Sequence, residues 1–163
     1  MGSQKIEKLP KKARVMLLGI ALSALGNGLV LPYTFIYFHN IRGFPIAVAG
    51  LIASYGAFSS LAISPLVGNL IDKWGPKPVL ITSLLVSSVG YCSLSLVKTI
   101  PQAFLVTTVC AMGQSAMWPS QSAISTELTP EHMRERIYGA QFAMLNLGIG
   151  IGGLVSSLVV TLD

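Results

Sequence analysis

The stretch Gly68-Asn69-Leu70-Ile71-Asp72-Lys73-Trp74-Gly75-Pro76-Lys77-Pro78 puts three charges, two prolines and two glycines between long apolar runs. Elsewhere the chain avoids charge. Only 10% of its 163 residues are Asp, Glu, Lys or Arg, 52% are hydrophobic, and the mean hydropathy is +0.68. Soluble domains carry roughly 25% charged residues. The charges here fall in the N-terminal tail, at Arg42, from Asp72 to Lys77, at Lys98, from Glu127 to Arg136, and at Asp163. The quoted stretch is therefore a polar turn where the chain surfaces between two buried runs.

The intervals between charges have the length of membrane crossings. A helix needs about 20 largely apolar residues to span a hydrocarbon core about 30 Å thick. Five runs qualify: Val15 to Phe38, Ile46 to Ile71, Val79 to Val97, Ala103 to Thr126 and Tyr138 to Thr161. Spanning strands need only about ten residues and alternate apolar with polar, which these runs do not. The expected fold is all-α, a polytopic membrane helix bundle, with a basic tail over 1–14 and a transmembrane bundle over 15–163. The first run is too long for a secretory signal and has no small-residue cleavage site, so it should remain as a span.

Basic residues in short loops orient such bundles. Lys5, Lys8, Lys11, Lys12 and Arg14 precede the first run, Lys73 and Lys77 lie between the second and third, and Arg134 and Arg136 between the fourth and fifth. The opposite side has only Arg42 and Lys98. The N-terminus is thus expected to be cytoplasmic, in a plasma membrane such as a bacterial inner membrane, with Asp163 outside. This asymmetry accounts for the net charge of +5. No basic helix or aromatic-interleaved patch argues for nucleic acid.

Catalysis and cofactors find no support. Cys92 and Cys110 sit inside apolar runs, away from His39 and His132, which fall at a span end and in a loop, so no metal site is expected. There is no nucleophile triad, carboxylate pair or phosphate loop.

The turn can be read residue by residue. Gly68 would let another helix approach closely. Asp72 lies where hydrocarbon meets headgroups and calls for a cationic or helix-N-terminal partner. Gly75 supplies a tight turn, Pro76 and Pro78 block helical continuation, and Lys73 and Lys77 hold the cytoplasmic side. An ordinary basic turn between helices would share these features. Further on, Thr129 could cap a helix begun by Pro130, with Glu131 in its first turn.

From Gly68 to Leu80 the sequence resembles the loop signature of the major facilitator superfamily, G-x-L-A-D-R-x-G-R-K-x-x-L, which joins the second and third helices of those transporters. Gly68, Leu70, Asp72, Gly75, Lys77 and Leu80 match, Lys73 stands for an arginine, and Ile71 and Pro76 depart from the pattern. The first two spans, with "ALGNGLVLPYTF" ending in Pro32 and Tyr33 and "AGLIASYGAFSSLAISPLVG", resemble the opening helices of drug-exporting members. The loop "TPEHMRERIYG" is similar to their connection between helices four and five. The resemblance implies a six-helix half of which five helices are present, and a conformational latch made by Gly68, Asp72, Lys73, Gly75, Lys77 and Arg136. It further implies a secondary transporter, an exporter of amphipathic or drug-like molecules, that works with further C-terminal helices, so that this chain would not transport alone. An arginine frequent in the fourth helix of exporters is replaced by Val109, and if the transporter is proton-driven, Asp72 is the only local titrating candidate.

The fifth span carries "GIGIGG". Gly148 and Gly152 form a G-x-x-x-G that Ser156 extends, a helix-packing pattern. Gly148, Gly152 and Gly153 also match an antiporter motif of the family, with Ile149 in place of its proline. A non-transporting membrane protein that assembles through this span is the alternative reading. For a small-molecule substrate, Gln114, Trp118, Gln121 and Ser125 share one face of the fourth span, Asn27 and Thr34 one face of the first, and Gln141 and Asn146 add amides to the fifth. Such groups should avoid lipid; they would line a cavity without fixed charge, or bond between helices. Trp118 beside Pro119 is the favoured ligand contact.

Overall fold

The computed structural model describes residues 9–161, without the side chains of residues 32 and 159–161. Lys5, Lys8 and Asp163 lie outside the described residues. Five long helices follow in order: α1 (Lys11–Ile36), extended by a π-helical turn (Tyr37–Ile41), α2 (Ile46–Trp74), α3 (Pro76–Leu94), α4 (Ile100–Glu127) and, after a 3-10 turn (Glu131–Met133), α5 (Arg134–Thr161). No strand occurs among the described residues. At 1.5 Å per residue even the shortest, α3 with 19 residues, is about 28 Å long and matches a hydrocarbon core.

Four of the five helices are longer than their apolar runs, and α3, of equal length, is shifted by three residues, because a helix need not begin or end where the hydrocarbon does. Lys11, Lys12 and Arg14 belong to the first turn of α1 and not to a separate tail. α3 begins at Pro76, three residues before the apolar run. Proline at the first helical position lacks only an N–H that would have no partner there, so Pro76 and Pro78 start this helix as well as ending its predecessor. Gly75 alone connects α2 to α3, at φ +83°, a conformation that penalises any side chain. Gly68 is exposed, and nothing lies within 4 Å of where a Cβ would stand, so no helix among the described residues closes on it. One other expectation fails. Thr129 Oγ1 is buried without a hydrogen-bond partner, and the 3-10 turn has no side-chain cap. The chain leaves Pro130 extended, at φ −55° and ψ 152°, and this carries the threonine out of capping position.

α1 with its π-turn, α2, α3, and α5 with the 3-10 turn are long and apolar enough to cross a membrane. α4 matches them in length but is diluted by Gln114, Gln121 and four serines between Ser115 and Ser125. The most polar part of this helix is its most hidden: Ser120 and Ser125 are fully buried and Gln121 is 6% exposed. The outward faces are the reverse. Leu22, Phe58, Leu61 and Leu154 stand 68–71% exposed. With backbone groups paired inside helices and large apolar side chains outside, the solvent that fits this surface is lipid.

The chain divides into two compact units, one of residues up to Leu29 with those from Ile124 onward, the other of Val30–Ala123. In the first, Ala13, Leu17, Ile20 and Ile137 form a core. Beyond it α1 and α5 meet backbone to backbone. A Cβ on Gly148 would lie 2.6 Å from the Ala21 carbonyl oxygen, one on Gly152 2.3 Å from that of Leu25, and one on Gly28 2.3 Å from that of Ile149. Ser156 Oγ donates to the Leu29 carbonyl at 2.9 Å. Gly153 points to open space.

In the second unit one apolar cluster gathers Phe38, Phe44, Ala49, Ile52, Val97, Ala103 and Val106 by the 37–45 and 95–99 connections. Another joins Val67, Val79 and Ala116 near the Gly75 turn. Between these ends α3 and α4 pack through small residues: a Cβ on Gly113 would meet Ser87 Oγ at 2.1 Å, and one on Gly90 would meet Cys110 Sγ at 2.7 Å. Close approach of this kind replaces the hydrophobic drive that lipid removes.

Candidate functional site

The second unit has a partly open cavity of about 350 Å³, with walls from the C-terminal end of α1, the first half of α2, the end of α3 and the first half of α4. These segments all adjoin the 37–45 and 95–99 connections, so the cavity lies at the end of the unit opposite Gly75. Most of the wall is aliphatic and aromatic, including Leu31, Phe35, Ile52 and Leu94. Its polar groups are Thr34, Ser60, Tyr91, Thr107, Gln114 and the thiol of Cys110; no ionisable carboxylate, amine, guanidine or imidazole lines it.

Two of these groups are committed to the scaffold. Thr34 Oγ1 donates to the Val30 carbonyl of its own helix at 3.0 Å, and Ser60 Oγ donates across to the Ala111 carbonyl of α4 at 3.2 Å. The polar focus is a pair: Gln114 Nε2 donates to the Tyr91 hydroxyl. Tyr91 reaches it because Gly90, beside it, brings α3 against Cys110 on α4. Just outside the wall, Tyr55 and Thr108 hydroxyls pair at 3.0 Å, and Phe104 stands edge-on to the Tyr55 ring.

A clamp closes the structure at this end. Arg42 Nε donates to the Tyr37 hydroxyl at 2.7 Å, the same hydroxyl donates to the Leu94 carbonyl at 2.8 Å, and an Arg42 amine donates to the Ser95 carbonyl. The guanidinium also lies 5.1 Å from the centre of the Tyr37 ring, a cation–π distance. A cation on the terminal carbonyls of α3 satisfies groups that have no partner within the helix. The π-turn makes this possible by presenting Tyr37 and Arg42 together. The clamp binds one wall of the cavity, Leu94, to the end of another, α1.

Of the residues singled out for the cavity, Thr34 and Gln114 line it. Trp118 does not; it is 44% exposed on α4. Gln121 is buried on the same helix, outside the lining. Asn27, Gln141 and Asn146 belong to the first unit. There Gln141 is fully buried and its Nε2 donates to Ser125 Oγ at 2.6 Å, while the exposed Asn146 bonds back to the Phe142 carbonyl at 2.7 Å. A shared helical face thus did not produce a shared environment, because neighbouring helices cover only part of that face. Ser60, Tyr91 and Thr107 went unremarked in the sequence. A tyrosine in the middle of an apolar run, next to a glycine, was the available signal, since a buried phenol needs a partner.

At the other end, Asp72, Lys73 and Lys77 are exposed around Gly75. Asp72 makes no ion pair or hydrogen bond with another described residue. Arg136 is exposed in the first turn of α5, in the other unit, where Arg134 pairs with Glu131 at 3.4 Å.

Long apolar helices packed through small residues define a multi-pass membrane protein. The chain belongs to the major facilitator superfamily, whose family model matches residues 16–162. It is similar to the quinolone resistance protein NorA of Staphylococcus aureus, 28% identical over 152 residues, covering 91% of this chain and 39% of NorA. It is also similar to the uncharacterized MFS-type transporter YttB of Bacillus subtilis, 26% identical over 152 residues, covering 91% of this chain and 38% of YttB. The chain therefore spans about two fifths of the length of these curated relatives.

Proposed function

We propose that the chain forms part of a secondary transporter that exports small amphipathic molecules by alternating access, with further helices completing the machine. The observation that carries this reading is the cavity of the second unit, apolar with a small polar focus and no fixed charge. Family membership and the likeness to a quinolone resistance protein support it. The N-terminus would face the cytoplasm, as the loop basics require, in a plasma membrane such as a bacterial inner membrane. Gly68, Asp72, Lys73, Gly75, Lys77 and Arg136 would act as the latch between conformations. Asp72, exposed and without a partner among the described residues, is available for it, and is this chain's own candidate for proton coupling.

The assembly alternative loses ground on one point: Gly148, Gly152 and Ser156 already face α1 of the same chain. The test is gradient-driven accumulation of an amphipathic dye in vesicles carrying the encoded transporter. Asp72→Asn should slow turnover while equilibrium dye binding stays close to the unsubstituted value. Equal turnover in both would count against the latch, and absence of gradient-driven flux against the transporter reading.

A further inference from the structure

The first half of α1 carries cations and bare apolar surface on one side. Lys11, Lys12 and Arg14 are exposed in its first turn, which holds no acidic residue. Beyond them Val15, Leu18 and Leu22 stand 63–71% exposed. At roughly 100° per residue, Lys11, Val15, Leu18 and Leu22 fall within about 60° of one another, with Arg14 on one flank and Lys12 on the other. The opposite face, with Ala13, Leu17 and Ile20, is buried in a core shared with Ile137 of α5. The stripe is therefore turned away from α5, and the cations straddle its end. Its length is that of one leaflet: from Lys11 to Leu22 the helix rises about 16 Å, close to half of a hydrocarbon core about 30 Å thick. An acyl chain lying along the stripe brings its headgroup to the level of the cations, whose long stems carry the charge out of the hydrocarbon.

Charge selects among lipids. The side chains of Lys11, Lys12 and Arg14 form no ion pair or hydrogen bond with another described residue, although Glu127, Glu131 and Glu135 belong to the same unit; Glu131 pairs with Arg134 instead. Three uncompensated cations in one helical turn favour an anion, and each basic group near an anionic membrane surface contributes about fivefold in binding, equivalent to about 1 kcal/mol. A phosphocholine headgroup offsets its phosphate with its own ammonium and gains much less. We propose that this edge of α1 binds an anionic phospholipid, its phosphodiester held among Lys11, Lys12 and Arg14 and one acyl chain laid along Val15, Leu18 and Leu22. Binding of this kind requires lipid as solvent but no transport, so the site and the exporter reading fail separately.

The test is native mass spectrometry of the full chain released from micelles of a neutral detergent and titrated with dioleoylphosphatidylglycerol. The first molecule should bind about tenfold more tightly than dioleoylphosphatidylcholine. Lys11→Gln and Arg14→Gln, both at exposed positions, should each weaken phosphatidylglycerol about fivefold and leave phosphatidylcholine unchanged. Lys98→Gln, which removes one charge far along the chain, should leave the first binding event unchanged. Glycerol 3-phosphate, an anion without chains, should not displace the lipid. In bilayers, the added emission of Leu18→Trp should be quenched more strongly by phosphatidylglycerol with brominated chains than by phosphatidylcholine with the same chains at equal content, and Lys11→Gln should abolish the difference. Equal affinity for the two lipids would overturn the proposal, as would a loss from Lys98→Gln equal to that from Lys11→Gln, which would reduce the effect to net charge. Displacement by glycerol 3-phosphate would mean a site for free phosphate, and insensitivity to both Lys11→Gln and Arg14→Gln an edge covered by another helix; either result also overturns it.

Discussion

Replacing Gly152 by alanine tests the contact that joins α1 to α5. The new Cβ would stand 2.3 Å from the Leu25 carbonyl oxygen and 2.9 Å from both the Gly28 Cα and the Leu29 nitrogen. All three atoms are main chain, so no rotamer change relieves the clash, and the helices must separate by about 1 Å to restore ordinary contact distances. Overpacking of this kind costs about 1–3 kcal/mol. The separation also stretches the bond from Ser156 Oγ to the Leu29 carbonyl, 2.9 Å long, whose loss adds about 0.6 kcal/mol, as is usual for a hydrogen bond inside a membrane. Set against the better helix propensity of alanine, up to about 1 kcal/mol, a net destabilisation of about 1–3 kcal/mol is expected. The neighbouring glycine supplies the control: nothing lies within 4 Å of a Cβ on Gly153, so Gly153→Ala should be neutral or slightly stabilising. The assay is reversible unfolding in mixed micelles titrated with dodecyl sulfate, followed by far-ultraviolet circular dichroism. Equal stability of the two variants would refute backbone contact as the basis of α1–α5 packing.

Three further outcomes follow from the same geometry. Gly75→Ala forces a side chain into φ +83° and should cost about 1–2 kcal/mol in the same titration; a neutral result would mean the α2–α3 turn relaxes freely. Arg42→Ala removes donors to the Tyr37 hydroxyl and the Ser95 carbonyl, so amide exchange around 37–45 and 95–97 should accelerate, and Arg42→Lys should restore little because an ammonium lacks the fork that reaches both; full restoration by lysine would reduce the clamp to simple charge. Ser125→Ala takes the acceptor from the buried Gln141 amide and should destabilise by about 1 kcal/mol, whereas Asn146→Ala, at an exposed position bonded only within its own turn, should change stability by less than about half of that.

These predictions separate what is local from what is not. Hydropathy and charge spacing located every long helix to within about four residues, because crossing a hydrocarbon layer is a constraint on consecutive residues. The turn at Gly75 was legible as a turn, but its length was not: the prolines expected to block helix instead begin α3 at Pro76, and Gly75 alone connects the two helices. The scarcity of polar residues that lipid imposes does not reveal their partners. Gln114, Trp118 and Gln121 look alike as intramembrane polar or amphipathic residues on one helix, yet one lines a cavity, one stands exposed and one is buried outside it.

By itself, then, the order of residues determined the solvent and the number and reach of the helices, which depend on composition over about 20 consecutive positions, while the family was legible through a resemblance carried by the residues from Gly68 to Leu80. Which face of each helix is covered was decided only by tertiary packing. Pairs such as Tyr91 with Gln114, Arg42 with Ser95 and Gly152 with Leu25 lie 23 or more positions apart; close approach at glycines brings the first and last together, and the π-turn the other. A glycine marks where a backbone can come near, but the helix that arrives there is chosen by the whole bundle.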